Sequence, residues 1–212
     1  MLSSRDQGYL QALEGARAEF LRSNGAERCR AAGADWQPTG EGAVVLLPFF
    51  GDVCEIRIPE FTFVLQGRSE RVSLGNQILI LHYLNRVTEV PLTGTCISFK
   101  DVPSGEFYYS AFSRRSVYPL LKTFGQSPEM FLRAGESLRG RRIDMDDVGL
   151  ELSVFPHVPV ILILWTADEE FPADLTMLFD EVISQWLDIE DIAVLGQEVM
   201  IRMIKAYHTC AK

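Results

Sequence analysis

Few residues in this chain carry obvious chemistry, and most of them stand apart. Three histidines occur, His82, His157 and His208. His82 lies inside an apolar stretch and reads as a core histidine, and His208 is close to the C-terminus. His157 stands between Pro156 and Val158, just before the run VPVILILWTADEE, which ends on Trp165 and then Asp168, Glu169 and Glu170. An aromatic ring beside carboxylates suits a cationic or planar ligand, and a histidine beside it could move a proton. Trp165, Asp168, Glu169, Glu170, His157 and Arg142 therefore form the candidate ligand or partner surface. A plainer reading competes: a strand leaves the core, turns in water at the three acids and returns as Leu175–Phe179.

Metal and catalytic motifs are not evident. The four cysteines, Cys29, Cys54, Cys96 and Cys210, contain no CxxC pair, so they read as small buried hydrophobes. The acids of DEEFPADLTMLFDE lack the loop glycine of a calcium site. Asp188 and Asp191 are assigned to opening a helix, so no metal site is expected. The sequence contains no GxSxG, HExxH, Gly-rich phosphate loop or dinucleotide fingerprint. Catalytic residues and cofactors are left unknown, and whether the chain is an enzyme stays uncertain.

Charge divides the chain. The total is −9. Residues 1–142 hold 17 Lys/Arg and 15 Asp/Glu, whereas residues 143–201 hold 14 Asp/Glu and no Lys or Arg. A basic stretch from Arg114 to Arg142 precedes the acidic one. Such a surface repels phosphate, so nucleic-acid binding is not expected. It reads either as a solvated face or as a docking surface for a basic protein partner, with the arginines pairing to it within the chain or across a homodimer. The longest apolar run, Val158–Trp165, is far short of the roughly 20 residues that span a bilayer. Together with an N-terminus that has no signal-peptide core, this predicts a cytoplasmic protein without a membrane role.

These residues must be positioned by an α+β fold that reads as two similar halves. In each half the order is helix, helix, three strands, helix, giving antiparallel sheets flanked by helices. The first half spans residues 1–92, the second 107–212, and residues 93–106, with Pro103 and Gly105, read as the linker. Helices are expected over 6–22, 26–32 and 75–86, then 107–124 (with Pro119 a potential kink), one after Ser127-Pro128, and one from Asp188. Strands are expected over 43–50, 53–58, 61–65, 150–155, 160–165 and 175–179. Val160–Trp165 shows no alternation and predicts a central strand with Trp165 mostly buried. A pocket between the halves, lined by Trp165, Tyr108 or Tyr109, and Arg142, would mark a small-molecule-binding domain.

Longer segments carry a resemblance. ILILHYLNRV with PLTGTCISFKDVPSGEFYYSAF, then PLLKTFGQSPEMF, then FPHVPVILILWTADEEFPADLTMLFD with LDIEDIAVLG resemble an uncharacterised domain-of-unknown-function family of anaerobic bacteria and archaea. The likeness runs over about residues 13–202. It implies no known activity and no functional residues. It does imply an accessory role, because some members are fused to, or encoded beside, iron–sulphur and corrinoid one-carbon proteins. The clustered cysteines of the iron–sulphur fusions are missing here.

Overall fold

A computed structural model describes residues 4–69 and 71–211, with side chains from residue 7 onward. The first half opens with helices α1 (Ser4–Arg22) and α2 (Gly25–Ala31). A meander follows, β1 (Asp35–Pro38), β2 (Ala43–Phe49), β3 (Asp52–Ile58) and β4 (Thr62–Leu65), and then helix α3 (Leu74–Arg86). Ser73 starts α3 by accepting a hydrogen bond from the Asn76 N–H, which satisfies one of the orphan donors of the first turn. Strand β2 alternates, burying Ala43, Val45, Leu47 and Phe49. Phe50 and Gly51 both take positive φ, 52° and 75°, the backbone that joins two twisted strands in a tight hairpin.

The second half repeats this order with additions. Strand β5 (Cys96–Ser98) and a 3-10 turn (Phe99–Asp101) precede helices α4 (Gly105–Arg115), α5 (Val117–Phe124) and α6 (Pro128–Ser137). The second meander is β6 (Arg141–Ile143), β7 (Val148–Phe155), β8 (Val158–Trp165) and β9 (Asp174–Asp180), and it leads through the short α7 (Ile183–Trp186) into α8 (Ile189–Cys210). The two sheets have the orders β1-β2-β3-β4 and β5-β9-β8-β7-β6, all antiparallel. The fold is α+β, with antiparallel sheets flanked by helices. Counterparts meet: β2 lies against β7, and α3 packs on α8. One hydrophobic cluster runs through both halves. At its centre Tyr83 stacks on Phe155 with ring centroids 4.2 Å apart, and Phe49 lies 5.1 Å from the same ring. The Phe50 N–H donates to the Val154 carbonyl and ties the two sheets together. Among the described residues no helix is long and apolar enough to cross a membrane.

Three expectations need correction. Each half has four strands in its meander, because β1 (DWQP) and β6 (RRI) are short polar edge strands without a hydrophobic pattern to announce them. Residues 93–106 include β5, which pairs with β9, so the turn-rich composition there conceals a strand. The expected helix 107–124 breaks at Ser116, whose backbone leaves the helical region (φ −130°, ψ −67°). Pro119 sits in the first turn of α5, where its missing N–H costs nothing.

Candidate functional site

The residues singled out from the sequence do not form one site. Trp165 ends the central strand β8 and is mostly covered, with part of its surface left to solvent. Trp165, Asp147, Asp168, Phe171 and Asp174 line an open depression of about 780 Å³. Its walls all come from the second half, and neither Tyr108 nor Arg142 reaches it. Asp168 is turned inward on its own loop, where its carboxylate accepts the N–H groups of Glu170 and Phe171 at 2.8 and 2.7 Å. Those two hydrogen bonds hold the Asp168 carboxyl below the usual carboxylate range. Glu169 and Glu170 are exposed. His157 lies in the β7–β8 turn, at the other end of the eight-residue β8, roughly 25 Å from Trp165 at 3.3 Å per residue. Arg142, on edge strand β6, pairs with Glu136 at 2.7 Å.

Much of the acidic segment is likewise committed to partners within the chain. Asp147 accepts from Thr166 N and Oγ1, and Glu151 takes Arg141 in a two-pronged pair. Asp180 receives the N–H groups of Thr93, Gly94 and Val182 and the Thr93 hydroxyl. Its partial burial works against ionisation, but those hydrogen bonds outweigh it and hold its carboxyl low.

A different constellation joins the halves. On α3, His82 and Arg86 are four residues apart and share a face. At the start of α8, Asp188 caps the helix by accepting the Asp191 N–H at 3.0 Å, which directs the Asp191 side chain back onto α3. The His82 Nδ1 lies 2.8 Å from both Asp191 oxygens. The Arg86 guanidinium bridges Asp188 and Asp191 at 3.2 and 3.3 Å. Burial raises the Asp191 carboxyl above its ordinary pKa despite these partners, whereas the hydrogen bonds from Asp191 N and Arg86 overcome burial at Asp188 and lower it. Because an ionised carboxylate only accepts, Nδ1–H donates to Asp191, and in the neutral ring Nε2 is then the acceptor nitrogen. Among the described residues nothing else hydrogen-bonds the ring.

His82, Asp188 and Asp191 place one ligand atom each within 4.8 Å of one another. Arg86 already supplies the cation between the two carboxylates, so an added metal would have to displace it. The cluster fits a held imidazole better than a metal centre.

The imidazole stands at the end of a groove. One arm, about 420 Å³, runs between α1 (Gly8, Tyr9), α3 (Gly75, Ile78, His82) and α8 (Asp188, Asp191). The other, about 230 Å³, lies between α4 and α8, and its wall includes Phe99, Tyr108, Phe112 and Ile189. Tyr9, Glu190 and Val194 line both, so the two pockets adjoin across these three side chains. The spacing of Tyr108, Ala111, Phe112 and Arg115 puts them on one face of α4, as Ile189, Ala193 and Gln197 are on α8. Gly196 allows this close approach, for a β-carbon there would stand 2.5 Å from the Phe112 ring. Tyr108 thus belongs to a groove between the halves, as expected for a ligand pocket, but its charged neighbours are Arg115, Glu190 and the α3–α8 cluster.

No match was found among curated proteins or solved structures. A domain of unknown function, DUF3786, matches residues 25–202, more than four-fifths of the chain. The match takes in α3, α4 and α8 up to Arg202, the three helices that supply most of the groove, and on its extent the chain belongs to the DUF3786 family.

Proposed function

We propose that this protein binds a small molecule in the groove between its halves, taken as residues 1–92 and 107–212 of one compact unit. The supporting observation is the groove itself: two adjoining pockets that share Tyr9, Glu190 and Val194, one aromatic and one lined by the oriented His82. Concave, mostly apolar sites with a few convergent polar groups are the usual form of ligand pockets. A neutral aromatic dye tests it. Nile red should bind the protein saturably, and Ala193→Trp, which fills the shared wall, should abolish binding while leaving the circular dichroism spectrum unchanged. Saturable binding that survives Ala193→Trp would place the dye elsewhere and count against the groove.

A second reading is an accessory role beside metallocofactor enzymes of the iron–sulphur or corrinoid kind, with a basic protein partner on the acidic surface of 143–201. One observation favours it. Asp144, Asp146, Glu169, Glu170, Glu181 and Glu190 make no side-chain hydrogen bond or ion pair with another described residue, so six of that segment's fourteen carboxylates remain for a partner. Arg141 and Arg142, in contrast, pair with Glu151 and Glu136 of the same chain, which weakens the case for a homodimer built on arginine–acid pairing.

A further inference from the structure

The groove is chemically polarised, and its two ends ask for different parts of one ligand. The aromatic arm exposes the Tyr108 ring above the buried Phe112 and Phe99, which stack on each other at 4.0 Å. Such a wall suits a planar ring. The other arm collects Asp188, Glu190 and Asp191. Arg86 offsets one of these charges, and the α8 N-terminus contributes about half a positive charge. The balance at that end is therefore about −1.5 with a neutral imidazole. Arg115 belongs to the aromatic arm alone, and Lys100 is placed over the Tyr109 ring at 4.5 Å, outside both arms.

Two acceptors at the acidic end are uncommitted among the described residues. Asp191 is taken by His82 and Arg86, and Asp188 by the Asp191 N–H and Arg86. That leaves the Glu190 carboxylate, exposed at the junction of the arms, and the Nε2 lone pair of His82. The Glu190 carboxylate accepts and does not donate, as does Nε2 while the ring is neutral, so the complementary ligand group is a donor with positive charge.

Building on the groove proposed above, we infer that the ligand is an aromatic amine, with its ring in the Tyr108–Phe112 arm and its ammonium donating to Glu190 and to Nε2 of His82. An ammonium fits both the charge and the donor count. A carboxylate would face three acids, and a neutral alcohol could donate to Glu190 but would bring no positive charge to the acidic end.

Three indoles of similar size separate the cases, with competition against Nile red as the readout: tryptamine, the neutral alcohol tryptophol, and the anion indole-3-acetate. Tryptamine should bind about tenfold tighter than tryptophol, and the acid should bind more weakly than either. Glu190→Gln, at an exposed helical position, should bring tryptamine within about twofold of tryptophol, lowering tryptamine's affinity more than tryptophol's. Ala193→Trp should exclude all three. Equal affinities for the amine and the alcohol, tighter binding of the acid, or no binding of tryptamine would overturn the inference. In each of those cases, Nile red binding that is still blocked by Ala193→Trp would leave the groove itself standing. Tryptamine binding unaffected by Ala193→Trp would overturn both.

Discussion

Two acidic regions, one after β8 and one at the start of α8, look alike in the sequence and behave differently in the fold. Both place aspartates next to apolar runs. In the β8–β9 loop, Asp168 accepts N–H groups two and three residues ahead, so its charge closes a turn. At the α8 start, Asp191 meets His82 across 109 residues of chain, and Arg86 spans it and Asp188. The first arrangement needs only its own loop. The second exists only when both halves are assembled, and it lies on a groove. A carboxylate's partners, rather than its neighbours in sequence, separate a structural acid from a candidate functional one.

Substitutions can break or sharpen this contrast. The largest effect is expected from Asp191→Ala, which strips a buried carboxylate from two cationic or polar partners. It should cost about 3 kcal/mol in urea unfolding, the lower end for a broken buried pair because Arg86 keeps some solvent. A loss below 1 kcal/mol would mean that α3 and α8 hold together without this cluster. Gly196→Ala pushes into the Phe112 ring and should cost about 2 kcal/mol by overpacking. It should also weaken Nile red binding, because Phe112 is a groove wall. Trp165→Ala should cost about 2 kcal/mol, less than a full core aromatic, since part of the residue's surface stays in solvent. Loss on the scale of a full core aromatic would show that the ring is better covered than its exposure implies.

Asp180→Asn sharpens the contrast through pH. The Asp180 carboxyl is held low by its hydrogen bonds, so its stabilisation is present above the ordinary carboxylate pKa and is lost as pH falls through the lower folded value. The variant should cost about 1 kcal/mol at pH 7, and the difference from the parent should shrink toward pH 3. Asp191, raised by burial, has the opposite sign: its ionisation works against the folded state as pH rises through its folded pKa. A penalty for Asp180→Asn that grows on acidification would contradict the assignment. The smallest effect is expected when Asp168, Glu169 and Glu170 are replaced together by Asn and Gln, with the melting temperature moving by only a few degrees and Nile red affinity unchanged.

The fold was largely legible because its signals are local. Alternation in β2 and β3, the Ser73 and Asp188 caps, and the long α8 face of Ile192, Leu195, Val199 and Met203 each lie within one element. Strands β1, β5 and β6 were missed because three or four mostly polar edge residues carry no periodicity. The site was hidden for a related reason. His82 is surrounded in sequence by Leu81, Tyr83 and Leu84, all buried, which reads as core. Asp188 and Asp191 fit a helix start so well that capping accounted for them. The available signal was the His82–Arg86 spacing, which puts two polar side chains on one face of a helix whose centre, Ile78–Leu81, is apolar. The Trp165 loop stands out in the sequence by its local contrast between apolar and acidic residues, but that contrast arises wherever a central strand leaves the core.

The central claim is that the ligand site lies between the halves and not at the end of β8. Amide chemical-shift mapping with indole, a neutral ring with no charge to bias it, tests this directly. The account predicts saturable shifts centred on Tyr108–Arg115 and Ile189–Gln197. Shifts centred on Trp165–Asp174, or no saturable shifts at all, would contradict it.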